Sequence, residues 1–194
     1  MDTREDSGPP GGGRVGPRVT LGLAAAWALH DAEELAALPG WLRRNTPRLR
    51  ERFPAVPEAV WRRTASAGGR EFAAAVAVMG AIVASASAAG QLTGGRSAAY
   101  QAALNAFGLH GLVHLAQAAA VRGYTPGSAT SAVVVVPFTL WARGRLRRAG
   151  ALRPARARDV AVGLGVAVAA TAASHVVARR LTGGGRPRPG ASTA

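Results

Sequence analysis

The stretch from Phe72 to Gly90, FAAAVAVMGAIVASASAAG, contains no ionisable side chain. As a helix rising about 1.5 Å per residue, it comes close to the ~30 Å hydrocarbon layer of a bilayer. Its Ser and Gly residues are small, which suits close helix packing in lipid. This is the clearest transmembrane signal in the chain, and it sets the frame for the other apolar segments.

Val19 to Leu38 is a further helix of about 30 Å, ended by Pro39-Gly40 with Trp41 at an interfacial position. Leu42 to Arg70 reads as a polar connector in which Trp61-Arg62-Arg63 lies on a membrane surface. Gln91 to Ser97 is a turn, and Ala98 to Val121 a third helix. Pro126-Gly127 suits the centre of a type II turn. Ser128 to Trp141, carrying Val133 to Val136 and then Pro137, is a short or kinked fourth helix, and Asp159 to Val177 is the fifth. Residues 1–18 and 179–194 read as disordered tails around a membrane domain over 19–178. The expected fold is therefore all-α, a polytopic membrane bundle of four to five spans in the cell membrane. A soluble bundle is the alternative, because Ala-rich helices are only weakly hydrophobic.

The net charge is +14, and all 24 basic residues are Arg. The arginines fall in the breaks between apolar segments, as membrane proteins place them beside headgroups, so membrane lipid is the expected partner and nucleic acid is not. Preference for Arg over Lys also fits compositional bias. The two sides of a five-span bundle would carry nearly equal Arg loads. The connector after the first helix is placed on the cytoplasmic side. There is no cysteine, which excludes thiol chemistry, disulfides and zinc fingers.

Against this background AAWALHDAEELAAL, from Ala25, is anomalous: His30, Asp31, Glu33 and Glu34 interrupt an apolar helix. Counted from the start of each helix, His30 and the Glu pair, His110 and His114, and His175 fall at similar depths on the first, third and fifth helices. At 3.6 residues per turn His30, Glu33 and Glu34 share a stripe, with Asp31 off it. His110, His114 and Gln117 share a face of the third helix, while Asn105 points toward a neighbouring helix. Ionised groups in lipid cost several kcal/mol unless they meet partners, a metal ion or water.

Imidazole and carboxylate donors suit Zn, Fe or Mn. His30, Glu34, His110 and His114 are the candidate ligands of a divalent metal ion, and Glu33 is the candidate general base. Competing explanations stay open: HDAEE as a helix end at the interface, HGLVH as a pair of bonded core histidines, and His175 as a surface residue. The chain has no HExxH, no Gly-rich nucleotide loop and no Ser-His-Asp pattern.

LHDAEEL, followed by NAFGLHGLVHLAQ and YTPGSATSAVVVVP, resembles the HXXEE family of small prokaryotic integral membrane proteins over roughly Leu21 to Pro137. The resemblance implies the membrane topology and singles out His30, Glu33 and Glu34, but supplies no reaction. A looser similarity links the Glu pair and histidines to membrane-embedded CAAX-type proteases. It breaks down where no Arg follows Glu33-Glu34 and where Phe107 precedes His110 by three positions rather than four. The leading functional expectation is a metal-dependent membrane hydrolase acting on peptide or lipid. The alternatives are an ion- or proton-coupled transporter and a structural membrane partner with a polar core.

Overall fold

The computed structural model describes residues 13–66, 69–154 and 157–181, and every regular element among them is helical. A short α1 (Pro17–Thr20) leads into α2 (Gly22–Arg52). Then come α3 (Glu58–Ser66), α4 (Gly69–Leu92) and α5 (Ala98–Val121). A last continuous hairpin arm begins with α6 (Ser128–Thr130), widens into a π turn (Ser131–Val135) and continues as α7 (Val136–Arg148). α8 spans Ala157–Leu181.

Pairwise contacts fix the directions. Tyr100 donates its hydroxyl to Val19 O (2.6 Å), and Arg52 donates to Ala120 O (2.8 Å), so α2 and α5 run parallel. Thr20 bonds Gln91, and a Cβ on Gly80 would meet the Trp27 ring, so α4 runs antiparallel to α2. α7 also opposes α5: Val135 lies against Gly111, Thr139 against Gly108 and Arg143 on Asn105. α8 reaches the start of α4, where Arg179 Nε lies 3.2 Å from Glu71. The helices close on a core of Leu23, Tyr100, Leu104, Phe107, Val135 and Leu146. Small residues let the helices approach: a Cβ at Gly90 would lie 2.5 Å from the Tyr100 ring.

Three expectations are corrected. Pro39-Gly40 does not end α2, which continues to Arg52 through Pro39 and Pro47. An interior proline costs about 3 kcal/mol, but the extension is held from outside: the Trp41 indole donates to Tyr124 O (2.8 Å) and Arg52 to Ala120 O. The polar connector is thus largely helical. Residues 13–18 are not a loose tail, because Val15 N donates to Gly94 O (3.2 Å) and Val15 is buried; residues 1–12 and 182–194 of the expected tails lie outside the described residues. Finally, among the described residues only α4 is long and apolar enough to cross a membrane, with a mean hydropathy of 2.0. Length and composition support one span among the described residues and not the expected four to five. α2 carries the acidic cluster and a run of arginines, α5 carries His, Gln and Asn, and α7 has 13 residues with Arg throughout its second half.

Pro137 explains the π turn. It offers no N–H to a carbonyl four residues back and its ring crowds that carbonyl. The preceding turn widens, and Val136 N donates to Ser131 O. Such wide turns often mark functional sites in helices.

Candidate metal centre

The parallel course of α2 and α5 brings HDAEE beside HGLVH. His30, Glu34, His110 and His114 each offer one donor atom, and these atoms all lie within 4.8 Å of one another. His114 Nε2 is 3.0 Å from His110 Nε2 and 3.1 Å from Glu34 Oε1. The i, i+4 spacing on α5 puts the two imidazoles on one face, with ring centroids 4.4 Å apart. His30 completes the group, 5.1 Å from the His110 ring and 5.0 Å from the His114 ring. For ligands about 2.0–2.1 Å from a tetrahedral Zn, neighbouring donors stand about 3.3 Å apart, close to the His114–His110 and His114–Glu34 spacings.

His30 is fully buried, and Nε2 has no hydrogen-bond partner. Its Nδ1 lies 2.8 Å from Thr130 Oγ1. The Thr130 hydroxyl donates to Glu33 Oε2 (2.5 Å), so its oxygen accepts from His30 Nδ1–H. That tautomer leaves a lone pair on His30 Nε2. Buried polar atoms are normally satisfied, so an unpartnered imidazole nitrogen among three other donors fits a metal ligand.

Glu33 lies outside the donor group. Its Oε1 accepts from the Tyr124 hydroxyl (2.8 Å) and Gly127 N (3.2 Å), and its Oε2 from Thr130 N (2.8 Å) and the Thr130 hydroxyl. The carboxylate of α2 thus organises the whole turn that leads into α6. Burial, and then the bond to Glu33, push the Tyr124 phenol up to about 12, so it remains a donor. Gly127 has φ +84 and ψ −15, the values of the third residue of a type II turn. A Cβ there would stand 2.7 Å from the His114 ring and 3.0 Å from the His30 ring. Glycine is required twice, for the backbone and for the imidazoles beneath it.

The centre is covered by this turn and open at His110, which is exposed. His175 does not join it and lies 3.9 Å from Glu71. Asp31 is buried beside the donor group, Gln117 is exposed, and Asn105 Oδ1 accepts from Arg143. Sequence pattern alone gives Tyr124, Gly127 and Thr130 no site role. The YTPGSAT turn was visible, but its bond to a carboxylate 97 residues earlier was not.

Residues 21–142, well over half of the chain, match the family described as a protein of unknown function with HXXEE motif, and the chain belongs to that family. The motif is His30 to Glu34, the α2 half of the cluster. No curated protein and no solved structure matches the chain.

Proposed function

We propose that this HXXEE protein is a multi-pass membrane protein holding one divalent transition-metal ion among His30, Glu34, His110 and His114, and that the centre is hydrolytic. The observation that carries the metal reading is the convergence of these donor atoms within 4.8 Å, with His30 Nε2 buried and unpartnered. Three imidazoles and one carboxylate suit Zn, Fe or Mn.

Membrane embedding beyond α4 is supported by the outside of the bundle. Leu29 of α2, Ile82 of α4, Leu112 of α5, Val133 of the π turn and Leu140 of α7 are all at least 43% exposed. So much outward apolar surface on helices of alternating direction needs cover, and lipid provides it.

A bound divalent ion would supply Lewis-acid polarisation of a substrate carbonyl or a water. The remaining work falls to the chain. Thr130 and Glu33 hold His30 in one tautomer and one orientation. The Tyr124–Thr130 turn excludes water from one side, while exposed His110 marks the side open to substrate. Glu34, 3.1 Å from His114 Nε2, is the carboxylate placed to join the imidazoles as a ligand. Glu33, expected as general base, has both oxygens occupied by four donors, which favours a positioning role.

One observation favours a second reading. Four protein donors fill a tetrahedral zinc site, which suits holding or passing an ion more than catalysis. In that case the centre belongs to an ion- or proton-coupled carrier.

Elemental mass spectrometry of the detergent-purified protein tests the centre directly. About one ion per chain is expected, lost in folded Glu34→Gln and His110→Ala. Metal-free, folded wild-type protein would end the metal reading. With the ion established, substrate turnover without a gradient would support the hydrolase, and gradient-driven flux in proteoliposomes the carrier.

A further inference from the structure

One end of the bundle is built as a single layer. Gln101 is buried and donates to both Gly95 O and Ala151 O (2.8 Å each), while Arg153 N donates to its Oε1 (2.9 Å). Val15 and Leu146 both lie against Gly95. The α1 lead-in, the α4–α5 turn and the end of α7 therefore share one level. Onto it the chain places Arg14, Arg18, Arg96, Arg145, Arg147 and Arg148. Segments 13–20, 91–101 and 139–153 contain no acidic residue. The opposite end differs, for its arginines are interleaved with carboxylates: Arg50 pairs with Glu58 at 3.0 Å and Arg179 with Glu71 at 3.2 Å.

A second observation locates this layer relative to lipid. The apolar helix α4 stops at Leu92, which is 79% exposed, immediately before the turn carrying Arg96. On α7 exposed Leu140 and Trp141 directly precede the arginines. Apolar surface, then Trp, then Arg is the order of a bilayer from hydrocarbon to headgroup.

We propose that this end is a binding surface for anionic phospholipid headgroups, with the α7 arginines as its main contact. The surface is selective by charge: guanidinium groups with no carboxylate partner among the described residues take lipid phosphates and attract anionic over zwitterionic lipid. The proposal rests on the membrane reading above but not on the metal centre.

The full-length protein in uncharged detergent is titrated with dioleoylphosphatidylglycerol or dioleoylphosphatidylcholine, reading unfolding temperature and lipid retained in native mass spectrometry. Phosphatidylglycerol is expected to raise the unfolding temperature and to be retained. Its apparent affinity should fall at least tenfold in the triple variant Arg145→Gln, Arg147→Gln, Arg148→Gln. The triple variant Arg43→Gln, Arg44→Gln, Arg48→Gln at the other end should change it less than twofold. Equal response to both lipids, or equal losses in the two triples, would overturn the proposal. So would duplex DNA binding at comparable affinity with the same α7 dependence, which would make the surface a nucleic-acid site. Resistance of the protein to carbonate extraction from membranes reports separately on the membrane reading.

Discussion

Thr130 is the residue on which the proposed metal centre turns. Its hydroxyl joins the Glu33 carboxylate to His30 Nδ1, and its side chain is nearly isosteric with valine. Thr130→Val therefore removes the link at little steric cost. His30 then loses its fixed tautomer, and metal affinity is expected to fall about 10–100-fold, the usual effect of losing such a support. A competition titration against a chelator measures this, and unchanged affinity would leave the Glu33–Thr130 pair without a role at the centre. At this scale much was legible. His30, Glu34, His110 and His114 stand out as ionisable groups in apolar helices, and periodicity sets their faces. Glu33 shares the same stripe, yet its carboxylate is turned into the 124–130 segment by four donors that periodicity does not encode.

Among the elements, α5 was readable at both ends. Ser97 caps it, accepting from Tyr100 N at 3.3 Å, and Arg122 closes it with φ +55. The extent of α2 was not readable, because the contacts that carry it past Pro39-Gly40 come from Trp41 and Arg52 reaching the end of α5. Local propensity loses to tertiary anchoring there. The π turn is intermediate: Pro137 announces a disturbance but not its form. Its consequence is testable, because the widened turn sets the rotation of everything N-terminal to it. Pro137→Ala restores an N–H and lets the segment relax toward an α-helix, turning Thr130 away from His30 by up to about 100°. The variant should bind metal at least tenfold more weakly while its thermal stability is unchanged or raised. Full metal affinity in Pro137→Ala would mean that the π turn has no part in the site.

For the whole molecule, alternating helix direction followed from the order of apolar segments, whereas the number of spans did not. The site chemistry itself lowers the hydropathy of α2 and α5, so length and composition single out α4 alone among the described residues. The layer held by Gln101 is the main polar tie at its end of the bundle. Gln101→Leu leaves two carbonyls and one N–H without partners, and is expected to cost at least about 3 kcal/mol, at 1–3 kcal/mol for each group left unsatisfied; denaturant unfolding in detergent would register it. The span between Glu33 and Thr130, 97 residues, carries a consequence in time. A ribosome adding about 5–20 residues per second needs roughly 5–20 s to make that interval. Throughout it α2 holds its carboxylates with no turn to receive them, which on the proposed multi-pass reading costs several kcal/mol in lipid. Chains truncated after Val121 should be degraded within minutes in pulse-chase labelling, whereas chains reaching Leu152 persist. Capture of Glu33 by the 124–130 turn would then be the step that commits a nascent chain to the bilayer, and an ion could be loaded only after it.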